Sequence, residues 1–333
     1  MIPDGDFPSH RYNVLCAMMG QFLAHDVSSG VMFTVGNGST ISCCTKSGGC
    51  LPPDQLHMAC APIAVPHNDP FYAHFNRTCM SFVRVQLAPS PDCRCGYAKQ
   101  LMTLTLLHTM FTREHNRIVS ELLRYNPDCD EDALFNTAKR ILIAMYQHIM
   151  FDEWLPLIIG CERMRTFNLA SGDGYSTCYD PDVNPSTLAE FTSAAIRVLH
   201  SAIAGNIWLV KNDYVDQMMY GMSAQPMQCI DPFITVGMTC LMFRRGLPYG
   251  NDIVAMDIQR GRKRLAKVYR CPEDVDLWVG ALLEAPVKGG IVGPVYANII
   301  AEQFSRYKCG DPYHFNHGPD VNPGAFTPCK LID

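Results

Sequence analysis

The sequence is short of several things, and each shortage narrows what it can be. Charged residues make up only 18% of 333 and the net charge is -5. With acidic residues in excess overall, neither nucleic acid nor an anionic membrane is the expected partner. No apolar stretch approaches the roughly 20 residues that a bilayer-spanning helix needs, so no membrane span is expected. Internal repeats and low-complexity tracts are absent, and apolar residues reach 48%, so a disordered chain is excluded. The zinc-protease string H-E-x-x-H is missing, because Glu114 directly precedes His115 and no histidine follows at four. Met1-Ile2-Pro3-Asp4-Gly5 lacks the basic start and apolar core of a signal peptide. The natural amino end is therefore expected to lie outside this sequence.

Cysteine is what the sequence has in excess. Sixteen are present, among them Cys43-Cys44, Cys93-x-Cys95 and the group Cys50, Cys60 and Cys79. None of these segments has paired C-x2-C zinc spacing, so disulfides formed in an oxidising compartment are the expected use. Two glycosylation sequons, Asn37-Gly38-Ser39 and Asn76-Arg77-Thr78, lie in the same stretch and fit a secreted product. Asn184-Pro185-Ser186 fails as a third because proline occupies the middle.

Length alone allows two domain units or one large one. The texture predicts a mainly α protein, one domain over 1–333, with a Cys-rich irregular lobe at 31–95. Residues 12–28 read as a buried helix, and 31–92 as cross-linked loops rich in Gly, Pro, Ser and Cys. Helical spacing predicts further helices over Leu101 to Leu123, ended by Asn126-Pro127, and over Glu131 to Phe151. A third is expected from Asn184-Pro185-Ser186 through His200 to Gly205, and a fourth from Gly293-Pro294 to Tyr307.

Two histidines could carry chemistry. On a helix Gln21 and His25 share a face, so an amide and an imidazole emerge together from apolar surroundings. Such a pair could hold and deprotonate a small polar substrate. By spacing alone, a hydrogen-bonded core histidine explains His25 better. His200 is likewise set among apolar neighbours, with Arg197 one turn earlier. Arg113, Glu114 and Arg117 read as helix-surface ion pairs.

Several strings taken together are far more specific. Gly20-Gln21-Phe22-Leu23-x-His25-Asp26 resembles the distal-histidine helix of the animal haem peroxidases, the family of myeloperoxidase, thyroid peroxidase and peroxidasin. The resemblance continues, in order, with Asp69-Pro70-Phe71-Tyr72, Phe75-Asn76-Arg77-Thr78-Cys79-Met80, Pro91-Asp92-Cys93 and Leu107-His108-Thr109. Then come Arg113-Glu114-His115-Asn116-Arg117, Glu153-Trp154-Leu155-Pro156-Leu157 and Tyr179-Asp180-Pro181. Ile258-Gln259-Arg260-Gly261-Arg262, Asp276-Leu277-Trp278-Val279-Gly280 and Gly293-Pro294 complete it. The invertebrate members look closest.

That resemblance implies a haem b buried between helices, with His200 as axial iron ligand and His25 as distal base beside Gln21. Asp257 takes the position of the proximal histidine's partner, where the family usually has Asn. A carboxylate pulls harder on the imidazole proton, which implies a lower iron potential than Asn would give. Arg260 matches a residue near a haem propionate and Arg197 lies one turn from the ligand, with ordinary ion pairing as the plainer reading of both. The implied activity uses hydrogen peroxide to oxidise phenolic, tyrosyl or halide donors.

Parts of the pattern are missing. Ala24 stands where the family usually has an ester-forming Asp. The positions of the distal arginine and the second ester carboxylate fall at Tyr97 and Gln100, and a family segment is absent between about Gln100 and Met102. Of the calcium loop only Asp26 remains, and one carboxylate does not satisfy Ca²⁺, which takes about six or more oxygens. A second segment is absent after Arg262, and two clean losses resemble omitted exons more than gradual decay. The expectation is an impaired peroxidase, with a non-catalytic extracellular scaffold as the alternative. A non-haem metalloprotein, resting on His108 and His115 alone, is weaker. Without both ester carboxylates, haem taken up by this chain is expected to leave into acid-butanone; haem retained by the precipitated protein would contradict that.

Overall fold

The computed structural model describes residues 7–28, 35, 39–60, 62–68, 77–81, 83, 102–172, 174–204, 214–231 and 271–325. The chain divides into two compact units, residues 28–105 and residues 1–27 with 106–333.

The smaller unit contains most of the Cys-rich stretch. Its described core is Ile41, Cys43, Ala59 and Val83, too few residues to hold a loop-rich segment by burial alone. Disulfides Cys43–Cys60 and Cys44–Cys79 supply the rest. Each closes a loop, of 17 and 35 residues separation, worth roughly 3–4 kcal/mol in chain entropy. A two-residue antiparallel pair, β2 (Ile63–Ala64) with β3 (Cys79–Met80), lies beside the second bridge. Cys50 is unbridged and exposed. Both glycosylation sequons centre on asparagines outside the described residues.

The larger unit is built around two buried helices. Strand β1 (Pro8–Asn13) leads into α1 (Val14–Val27), which is apolar on most sides and carries eight buried residues. Asn13 starts this helix: its Oδ1 accepts the Cys16 N–H at 3.2 Å, the usual asparagine cap. After α2 (Met102–Tyr125), Asp130 caps α3 (Glu131–His148) through the Ala133 N–H. Glu131 and Asp132 in its first turn and His148 in its last follow the helix dipole. On the surface of α2, Glu114 pairs with Arg117 at 2.7 Å, as the sequence suggested.

Where the sequence predicts one helix to Phe151, the chain widens into a π-turn over Ile149–Trp154 and continues as α4 (Leu155–Thr166). The wide turn brings Phe151 and Trp154 into the core together. The third expected helix is corrected more strongly. Ser186 N bonds Asn184 Oδ1, and the Leu188 N–H donates to Gln303 Oε1 at 2.6 Å. Residue 188 is thereby held extended, and only α5 (Ala189–Ser193) and a separate 3-10 turn (Ala195–His200) form, parted at Ala194. Gly205 lies outside the described residues.

Helix α6 (Tyr214–Ala224) and β4 (Pro226–Gln228) return the chain to β1, which pairs antiparallel with β4. The short α7 (Leu277–Leu282) precedes α8 (Pro294–Cys309), whose Tyr296, Ala297, Ile300, Ala301 and Phe304 are buried at helical spacing. Glu284 accepts the Val295 N–H at 2.8 Å and so caps α8, and Cys178–Cys309 anchors its far end.

Gly160 interrupts α4 at φ 76° and ψ 156°, a conformation almost confined to glycine. A Cβ there would stand 2.5 Å from the Lys288 carbonyl oxygen, where the loop donates Ile291 N–H to Ile158 O. Gly160→Ala is expected to cost about 1–3 kcal/mol for the backbone conformation alone, read as a lower denaturation midpoint. An unchanged midpoint would show that the loop at 287–291 yields freely.

Candidate functional site

Helix α1 places Gln21 and His25 on one face, four residues apart. The same helix meets the 3-10 turn 195–200 at Gly20, where a Cβ would collide with the Leu199 side chain and approach Trp154 to 3.0 Å. Trp154 holds the other side by donating its indole N–H to Cys16 O at 2.9 Å. Glycine at 20 is thus what lets the segment bearing Arg197 and His200 lie against α1.

Arg197 is fixed from behind, its Nε donating to Thr192 O at 3.0 Å. Its positive charge reaches His25. Burial first, then this guanidinium, holds the His25 pKa below the usual imidazole value. As a residue His25 is nevertheless exposed to solvent. The result is a neutral imidazole at pH 7, with a lone pair available. His200 closes the 3-10 turn and is half-buried.

Phe22 organises the neighbouring face. Its ring lies 4.8 Å from His108, 5.1 Å from Phe111 and 5.4 Å from Tyr146. His108 is also held below the usual value, by burial and then by His25. Burial pushes the Tyr146 phenol far up, and the Asp26 carboxylate adds to that shift. Asp26 itself is raised by burial. The Gln21 Oε1 and Tyr146 hydroxyl are buried atoms without a hydrogen-bond partner.

Gln21, His25, Asp26 and Arg197 thus fall into one neighbourhood. Asp257, Arg260, Tyr97 and Gln100 lie outside the described residues. Ala24 is buried. His108 and Tyr146 are members that sequence reasoning missed. Leu107-His108-Thr109 appeared there as a motif string, and the half-buried aromatic Phe22 beside Gln21 was the available clue. His108 and His115 do not share a site. His115 instead packs on Phe135 at 4.9 Å.

Among the described residues, no three His, Cys, Asp or Glu side chains are grouped as metal ligands. An iron carried by a porphyrin brings four equatorial nitrogens and asks the protein for one axial imidazole. The donors here fit that demand: a half-buried imidazole at 200, a neutral one at 25, and an unpartnered buried amide oxygen at 21.

Because Arg197 helps keep His25 neutral, Arg197→Gln is expected to raise the His25 pKa toward its ordinary value. Imidazole NMR titration reads this directly, and an unmoved or lower pKa would remove Arg197 from the site.

The family model described as animal haem peroxidase matches residues 1–105, 97–216, 206–264 and 263–332. Two joins, at 97–105 and 263–264, fall where the sequence places its lost segments; the join at 206–216 has no counterpart in that reading. A chorion peroxidase of Aedes aegypti is 33% identical over 98% of this chain and 57% of its own length. One from Drosophila melanogaster is 32% identical, covering 99% and 56%. The chain therefore spans a little over half the length of these curated relatives. The alignments run over 451 and 457 positions against 333 residues, so the relatives hold internal sequence that this chain lacks. Among solved structures, peroxidase A from Dictyostelium discoideum superposes with a TM-score of 0.65 at 18% identity, covering 99% of this chain and 86% of that one. A fatty acid alpha-dioxygenase of Arabidopsis thaliana gives 0.58 at 12%, covering 98% and 70%. At such identities the likeness concerns the fold, which is mainly α as the sequence indicated. Matched along nearly its whole length, the chain belongs to the animal haem peroxidase family.

Proposed function

We propose that this chain is a haem-dependent peroxidase of the extracellular space, reduced in catalytic power, with hydrogen peroxide as oxidant and a phenolic, tyrosyl or halide donor. The observation that carries the reading is the neutral His25, sharing a helix face with an unpartnered buried Gln21 oxygen. When bound, haem would supply the iron at which peroxide is reduced.

His200 would hold the iron, with Asp257 accepting its second N–H. His25 is suited to take a proton from hydrogen peroxide and return it to the departing oxygen, a role that requires the unprotonated ring. Such transfer contributes about 10²–10⁴ in rate. Gln21 offers its amide oxygen to a water or peroxide O–H beside that ring. Arg197 and Arg260 would pair with propionates, with Arg197 also depressing the His25 pKa. The haem would be held non-covalently, since Ala24 offers no carboxylate for an ester. Loss of a distal charge-stabilising donor costs on the order of 10²–10³. Disulfides Cys43–Cys60, Cys44–Cys79 and Cys178–Cys309 support an oxidising compartment.

Ala24 and the absent internal segments also favour a second reading, a haem-binding or haem-free extracellular scaffold descended from a peroxidase. A Soret spectrum of haem-loaded protein, followed by peroxide, separates the two. The enzyme reading expects a Soret band that shifts on peroxide addition and a His25→Ala variant slower by about 10²–10⁴. A band inert to peroxide leaves the scaffold. No haem uptake, or uptake undiminished in His200→Ala, overturns the assignment of His200.

A further inference from the structure

Two histidines with no part in that chemistry lie on the segment after α8. His314 is 1% exposed and His317 0% exposed, with ring centroids 5.7 Å apart. His314 packs edge-on against Phe151 at 4.7 Å, and His317 against Tyr179 at 5.8 Å. Their hydrogen bonds fix both tautomers. The Asn316 backbone N–H donates to His314 Nδ1 at 3.3 Å, so the proton of that ring sits on Nε2. His317 Nε2–H donates to the Lys308 carbonyl at 2.7 Å, so its Nδ1 is bare. The two remaining nitrogens, His314 Nε2 and His317 Nδ1, are buried without a partner.

We infer that His314, packed beside His317, forms an acid-sensitive latch that holds residues 311–325 onto the helical body only while its ring is neutral. A second proton on His314 must go to Nδ1, which breaks the bond from Asn316. That event also buries a cation beside Lys308, which is 2% exposed and bonds the carbonyls of Asn168, Leu169 and Ala170 at 2.9, 3.4 and 3.4 Å.

The surrounding charges do not offset this. From α8 the facing group is Lys308. From the α3 end and π-turn they are His148 and Asp152, already paired to each other at 2.8 Å, with Asp152 also accepting the Ser171 hydroxyl. From 174–179 come the Tyr175 and Tyr179 phenols. On the segment itself Asp311 caps the Tyr313 N–H and Asp320 is exposed. Among the described residues no carboxylate bonds either imidazole. What the latch closes is equally specific: Phe315 N–H donates to Gln147 Oε1, Asn316 Nδ2 to Ser171 Oγ, and Arg140 reaches Gly324 O.

Neutral when closed and free to titrate near the ordinary imidazole value of about 6.5 when open, the His314 ring takes up a proton on opening below that pH. Closure therefore weakens as pH falls, by up to about tenfold per pH unit. Hydrogen exchange of the 311–325 amides in the disulfide-intact full chain, corrected for intrinsic rates, measures this between pH 7 and 5. The expected result is an opening constant that rises by about eightfold between pH 6 and 5. His314→Phe should flatten the slope, while His115→Gln, at a ring packed on Phe135, leaves it unchanged. Protection independent of pH, or a slope unaltered in His314→Phe, overturns the proposal. Should the variant not fold, NMR titration of the wild-type ring decides: proton uptake by His314 above pH 5.5 with the segment still protected also overturns it. No haem is needed, so the outcome is separate from the peroxidase reading.

Discussion

The contact between α1 and the 195–200 turn, made at the one residue of α1 without a side chain, is the constraint on which the site depends. Trp154 and Leu199 occupy the space that a Cβ at Gly20 would need. Gln21 follows Gly20 and Arg197 precedes Leu199 by two, so one close approach fixes both partners of the neighbourhood. The indole bond to Cys16 O then fastens Trp154 to the same helix. An apolar helix buried on most sides has little freedom to rotate, because each rotation would turn Met18 or Leu23 out of the core.

Burial also decides the chemistry of the neighbourhood. His25, His108 and Asp26 all shift toward their uncharged forms, each with burial as the larger cause. Tyr146 follows the same direction. A region that disfavours charge across four side chains suits proton transfer to and from a neutral base better than it suits a saline ion pair. The Arg197 guanidinium completes this by opposing protonation of His25.

Much of this was legible in the sequence, for physical reasons that can be named. Helices α1, α2, α3 and α8 show clear apolar spacing and strong stop signals, and their bounds differ from the reading by a few residues. The Gln21/His25 pair needed only the four-residue repeat. What escaped was set by distant partners. Gln303, over a hundred residues away, keeps Leu188 extended and so divides the third helix. The π-turn at 149–154 depends on packing of Phe151 and Trp154, which periodicity does not encode. Tyr146 joins the site through Phe22, a contact between α1 and α3 with no local trace.

The bridge between Cys178 and Cys309 spans 131 residues and so makes a covalent ring around the 195–200 turn, α6, α7 and α8. Ring closure depends on length only logarithmically, so that doubling the enclosed chain changes its entropy by about 0.6 kcal/mol. Sequence can therefore be gained or shed inside the ring, as at the joins near 206–216 and 263, while the tether on the end of α8 costs nearly the same. The architecture tolerates editing where the loop is tied, and the helices outside it keep their frame.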